Sequence, residues 1–235
     1  MTSANLSRRK LLALTGSATA VSTLLAPNLS FGATGSKTEF TVLKAGEGSA
    51  RLLGPDKAAT STWCFNGKTP GTELRVKHGD RARFQLQNAL PDPTTIHWHG
   101  LRIDNAYDGV AGLTQDAVKT GETFDYEFNL PDSGTYWYHP HNKSWEQVER
   151  GLYGPLIIEE KEPLEVDREI VLMVDDWLLD ENNQIEDRSF GSMGQWSHGG
   201  RMGNLPTING QNRFQLSVRS GERLRVRLIC ATNAR

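Results

Sequence analysis

The chain has 235 residues, 37% of them hydrophobic and 23% charged, an ordinary globular composition with room for one large domain or two modest ones. Lys and Arg number 26 against 28 Asp and Glu, and loss of a leader carrying Arg8, Arg9 and Lys10 would leave 23 against 28, a net charge of −5. That balance excludes the basic footprint of a nucleic-acid binder, so no nucleic-acid partner is expected.

At the N-terminus, Ser7-Arg8-Arg9-Lys10-Leu11-Leu12 runs into a moderately apolar stretch from Leu11 to Ala26, broken by Thr, Ser and Gly. Paired arginines directly ahead of such a run read as a twin-arginine export signal over residues 1–33, with Ser30-Phe31-Gly32-Ala33 offering a cleavage point. The expected partner is the twin-arginine export machinery, and the expected location is the periplasm or the medium. An ordinary secretory leader and an uncleaved anchor are the alternatives. The stretch falls short of the roughly 20 apolar residues of a membrane span, so no stable span is expected.

From Thr38 onward short β-prone runs alternate with turns. The expected strands are Glu39 to Lys44, Ser61 to Phe65, Leu74 to Lys77, Arg81 to Gln87, Thr94 to His99, Phe124 to Phe128, Gly134 to His139 and Gly154 to Glu159. Turns fall at Asn66-Gly67, Pro70-Gly71, His78-Gly79-Asp80, Leu90-Pro91-Asp92-Pro93, Thr120-Gly121 and Pro131-Asp132-Ser133-Gly134. This spacing predicts an all-β sandwich or barrel of antiparallel strands over residues 37–160. A charged linker, Glu159-Glu160-Lys161-Glu162-Pro163, precedes a second β unit at 165–235, with strands at Arg168 to Asp175, Thr207 to Asn209, Phe214 to Val218 and Arg223 to Ile229. Because the Gly-, Asn- and Ser-rich loop from Asp180 to Leu205 takes much of that length, the second unit is expected to be incomplete and the chain truncated within it.

Four of the six histidines stand in two His-x-His pairs, His97-Trp98-His99 and His139-Pro140-His141. On a strand, residues i and i+2 project from one face, so each pair offers two imidazoles to one site. Pro140 cannot donate to a sheet ladder, which places the second pair at a strand end. Imidazole suits copper and zinc, and no thiolate neighbours either pair, which excludes a Cys-rich structural zinc site. Cys64 and Cys230 are read either as one disulfide or as separate buried thiols. His78 is expected to be a solvated turn residue. His198, in a loop with Met193, Trp196 and Met202, reads as plain loop or as a weak cuprous-ion site.

His97-Trp98-His99-Gly100 follows Asn66-Gly67-Lys68-Thr69-Pro70-Gly71-Thr72-Glu73-Leu74, and Gly134-Thr135-Tyr136-Trp137-Tyr138-His139-Pro140-His141 precedes Gly151-Leu152-Tyr153-Gly154-Pro155-Leu156-Ile157-Ile158. This set resembles the first cupredoxin domain of the multicopper oxidases, the family of laccases and bacterial copper-resistance oxidases, with the resemblance running from about Phe40 to Arg235. It implies a cupredoxin-like Greek-key β-sandwich, one complete domain followed by a partial second. It also implies copper as cofactor, in a trinuclear cluster that reduces dioxygen to water by one-electron steps. By that resemblance His97 would ligate the type 2 copper, and His99, His139 and His141 the type 3 pair. Asp108 would serve a proton relay, with Asp116 as the weaker alternative, and Trp98, Tyr136, Trp137 and Tyr138 would form an apolar shell or simply belong to the core. The reducing substrate is left open among phenols, aromatic amines and cuprous ion. The chain contains no His-Cys-His, the segment that carries the family's type 1 copper ligand, so half of the cluster ligands and the type 1 site are missing. A non-catalytic cupredoxin-like scaffold or copper-binding module is the alternative function.

Overall fold

In Arg81–Asn88 every second side chain is buried, so one face of the strand packs inward while the other carries Arg81, Arg83, Gln85 and Gln87 outward. The same alternation builds most of the protein. The computed structural model describes residues 39–194, 200–232 and 234; the export signal, Trp196 and His198 lie outside the described residues. The strands are β1 (Thr41–Ala50), β2 (Thr60–Phe65), β3 (Leu74–Lys77), β4 (Arg81–Asn88), β5 (His97–His99), β6 (Thr123–Asn129), β7 (Gly134–His139), β8 (Gly154–Glu159), β9 (Arg168–Trp177), β10 (Leu205–Ile208) and β11 (Leu224–Cys230). One short helix, α1 (Ser144–Gln147), follows the second histidine pair. No helix among the described residues is long and apolar enough to cross a membrane.

Two four-stranded sheets, ordered β2-β1-β4-β6 and β3-β8-β7-β5, form a sandwich. Their inner faces share one core, in which Leu43, Phe84, Leu86 and Tyr126 of the first sheet meet Trp98, Tyr138, Leu156 and Ile158 of the second. The expectation of purely antiparallel strands fails at β1–β4 and β3–β8, which pair in parallel. Because the chain leaves one sheet for the other between those partners, each return strand re-enters in the original direction. A third sheet, β10-β9-β11, follows the exposed segment from Lys161 to Glu165 and repeats this order, with β9 antiparallel to β10 and parallel to β11. It packs Met173, Trp177 and Ile229 against Leu52, Val148 and Tyr153 of the sandwich.

Charged pairs join the third sheet to the sandwich. Glu160 accepts hydrogen bonds from the Arg225 and Arg227 guanidiniums, Arg227 also donates to Thr135 Oγ1, and Arg75 of β3 pairs with Glu169 of β9 at 2.8 Å. One expected strand is absent: Phe214 to Val218 runs as exposed irregular chain, with Ser217 O bonded by the Arg168 side chain in place of a ladder. β5 is also shorter than expected: Thr94 pairs only as an isolated bridge with Val118, the Thr95 hydroxyl accepts from His141 N, and Ile96 N donates to the Tyr126 hydroxyl. Cys64 is buried and Cys230 exposed, both as thiols, so neither the disulfide nor a second buried thiol is found.

Candidate metal centre

Antiparallel pairing of β5 with β7 sets His97 directly opposite His139, Trp98 opposite Tyr138 and His99 opposite Trp137. The pleat then sorts the side chains. Trp98 and Tyr138 point into the sandwich and are fully buried, so they belong to the core. The histidines project from the other face. One ring nitrogen from each of His97, His99 and His139 lies within 4.8 Å of the other two. The His141 ring is 5.2 Å from that of His97 and 6.4 Å from that of His139, so the fourth histidine joins the cluster at its edge, outside the tight triad.

The tautomers follow from neighbouring carbonyls, which can only accept. His97 Nδ1 donates to Asp108 O at 2.7 Å and His139 Nδ1 donates to Pro140 O at 2.9 Å. Both rings therefore present an unprotonated Nε2. His99 Nδ1 faces His139 Nε2 at 3.2 Å. Two nitrogens bound to one ion at about 2.0–2.1 Å and a tetrahedral angle stand about 3.3 Å apart, so this pair fits a shared metal ion without rearrangement. Trp137 covers the same two rings, its centroid 4.1 Å from His139 and 5.0 Å from His99. Of the four aromatics assigned to the shell, Trp137 is the one that lies on the ligands.

Burial favours the neutral form of His99 and His139. Burial, followed by repulsion from His97 and His141, lowers the His99 pKa. Burial pushes His139 down to about 3, against the opposing hydrogen bond that its Nδ1 donates to Pro140 O. A neutral imidazole can bind a metal ion at neutral pH without first giving up a proton.

Asp108 does reach the site, but chiefly through its backbone. Its carboxylate Oδ1 is 3.4 Å from His97 Nδ1, farther than its carbonyl oxygen. Gly109 makes this approach possible: its φ is +76°, and a Cβ there would stand 1.8 Å from Ile96 O. Asp116 is exposed on a neighbouring loop, its carbonyl accepting from Gln115. His78, expected to be solvated, is half-buried and donates from Nε2 to Pro131 O at 2.8 Å. Met193 and Met202 are exposed. Thr95 and Gln147 escaped the sequence reading: both are fully buried, and their hydrogen bonds brace the second histidine pair. A buried Gln just after His-x-His was the one available signal.

Residues 49–163 match the family model described as multicopper oxidase. The chain is 42% identical over 144 residues to copper resistance protein A of Pseudomonas syringae pv. tomato, a match that covers 60% of this chain and 23% of that protein. Among solved structures, Lac15 from a marine microbial metagenome superposes with a TM-score of 0.70 at 41% identity, covering 84% of this chain and 48% of that one. A multi-copper oxidase from Pseudomonas Thermotolerans gives a TM-score of 0.73 at 36% identity, with the same coverage of 84% and 48%. The chain thus spans about a quarter of the length of the first relative and about half of the solved chains. The sheets match those of cupredoxin-like multicopper oxidase structures. By its family-model match, its fold and these relatives, the segment 49–163 is a multicopper oxidase domain, carried on a chain that folds like multicopper oxidase structures.

Proposed function

We propose that this chain contributes His97, His99, His139 and His141 to a trinuclear copper cluster, His97 to a type 2 copper and the other three to a type 3 pair. The observation that carries the reading is the 3.2 Å approach of His99 Nδ1 to His139 Nε2, with His97 in the same group. Copper bound there supplies one-electron redox chemistry for the reduction of dioxygen to water, with electrons from a phenol, an aromatic amine or cuprous ion.

The chain's own residues bind and orient. Asp108 O and Pro140 O fix the His97 and His139 tautomers. Trp137 stacks on the buried His139 ring and flanks the exposed His99 ring. The Asp108 carboxylate, 3.4 Å from His97 Nδ1 and partly open to water, is placed to accept protons from solvent and hand them inward. Residues 37–160 form a first domain and 165–235 belong to a second. The leader at 1–33 directs twin-arginine export to the periplasm or the medium.

Because the chain has no His-Cys-His, copper loading of these 235 residues should give no intense absorption near ~600 nm and no oxidase turnover. Histidine-to-alanine changes at 99 and 139 should abolish the binding that remains. An intense band near ~600 nm, or binding indifferent to both histidines, contradicts the assignment.

A further inference from the structure

The β5–β7 ladder ends at His97 and His139, and Pro140 cannot extend it, so His141 lies beyond the sheet's own hydrogen bonding. What holds it is a clamp from the four consecutive residues that approach the first histidine pair. Asp92 Oδ2 accepts from Lys143 Nζ at 3.1 Å. Pro93 O accepts from Asn142 Nδ2 at 2.6 Å and from Gln147 Nε2 at 2.9 Å. Thr94 Oγ1 donates to Gln147 Oε1 at 2.7 Å. Thr95 Oγ1 accepts from the backbone N–H of His141 at 3.0 Å. A backbone bridge to Val110 flanks His141 as well.

Three members of this clamp, Thr94, Thr95 and Gln147, are 0% exposed, so water cannot replace a bond that any of them loses. Gln147 uses both ends of its amide, donor to Pro93 O and acceptor from Thr94, which fixes its orientation and ties α1 to residues 93–94. Thr95 stands two residues before His97, and its hydroxyl is the direct link from the first histidine pair's strand to the second pair's last member.

We infer that Thr95 and Gln147 are positioning residues for His141, setting the distance between the two histidine pairs and holding the fourth ligand at the edge of the cluster. The inference rests on the metal-centre reading above for its purpose, but its geometry is testable without copper. Outer partners of metal ligands are worth about 10–100-fold in metal affinity.

In the copper-free 235-residue chain, hydrogen exchange at the His141 N–H should be at least about tenfold faster in Thr95→Val than in the parent and parent-like in Thr95→Ser. Exchange at β4 and β6 amides should be unchanged. Cupric-ion titration should show about 10–100-fold weaker binding in Thr95→Val and Gln147→Leu, with Thr95→Ser near the parent. Should Thr95→Val fail to fold, Gln147→Leu carries the same comparison, with faster His141 exchange expected. Parent-like exchange and parent-like cupric binding in these variants overturn the inference. A parent chain that binds no cupric ion overturns the metal reading instead, and the exchange measurement still decides the positioning role.

Discussion

Asn209 repeats the bonding of Asn66. Asn66 Oδ1 accepts from Lys44 N at 2.8 Å and its Nδ2 donates to Val42 O at 2.9 Å, while Asn209 Oδ1 accepts from Met173 N at 2.8 Å and its Nδ2 donates to Val171 O at 3.0 Å. Each Asn has a φ of +52° and precedes a glycine at +72°, so each is an Asn-Gly turn whose side chain pins the neighbouring strand. The correspondence aligns Leu43 with Leu172 and, across the parallel pairings, Leu86 with Leu228. Leu86 is fully buried in the sandwich core, whereas Leu228 is 66% exposed. Leu86→Glu is therefore expected to unfold the sandwich, while Leu228→Glu should shift stability by less than about 0.5 kcal/mol in this chain. Chemical denaturation of both variants measures the contrast, and comparable losses would show that Leu228 is packed as Leu86 is, contradicting it.

The short path between Asp108 and His97 separates two roles of one residue. Since the backbone carbonyl is the nearer acceptor, Asp108→Asn should leave the His97 tautomer and cupric binding intact. Gly109→Ala should disturb both, because the added Cβ meets Ile96 O, at a cost of about 3 kcal/mol or more. Imidazole nitrogen chemical shifts report the tautomer. Loss of the His97 Nδ1 proton signal in Asp108→Asn would assign the orientation to the carboxylate instead.

Burial of neutral His139 makes the copper-free chain sensitive to mild acid. Its folded pKa of about 3 lies below the unfolded value, so below pH ~6.5 the unfolded chain takes up a proton that the folded chain refuses. Stability should fall by about 2 kcal/mol between pH ~6.5 and ~4.5 on this account, and His139→Gln should flatten that slope. A slope unchanged by the substitution would place the proton uptake elsewhere.

Glu160 has the opposite sign. Its hydrogen bond from Arg225, with Arg227 beside it, holds the carboxyl down at about 2, below its value of 4.5 when free. The stabilisation is complete above pH ~4.5 and disappears as pH falls toward ~2. Glu160→Gln should cost about 1–2 kcal/mol at neutral pH, limited because a quarter of the side chain is exposed to screening solvent, and nothing near pH ~2. Thermal unfolding across that range tests it; an equal loss at every pH would mean that packing, not charge, is what Glu160 supplies.

Strands whose burial alternates or runs continuously were legible in the sequence: β3, β7 and β8 occupy the expected residues, and β4 differs by one. The His-x-His spacing likewise gave the face on which the imidazoles meet. What escaped was decided by distant partners. Phe214 to Val218 has strand composition but remains irregular and exposed, and Thr94 to Ile96 leave the ladder for Gln147, His141 and Tyr126. α1 is four residues long without a side-chain cap, too short to leave a helical period. That Asp108 would act through its carbonyl follows only from the approach of Gly109 to Ile96.

The central claim, that these histidines form one copper-binding site, is tested most directly by diffraction from copper-soaked crystals of the chain at the copper absorption edge. An anomalous peak bound by His99 Nδ1 and His139 Nε2, and lost in the His99→Ala variant, is the predicted result. Copper found only away from the four histidines, with His99 and His139 left facing each other unchanged, would contradict it.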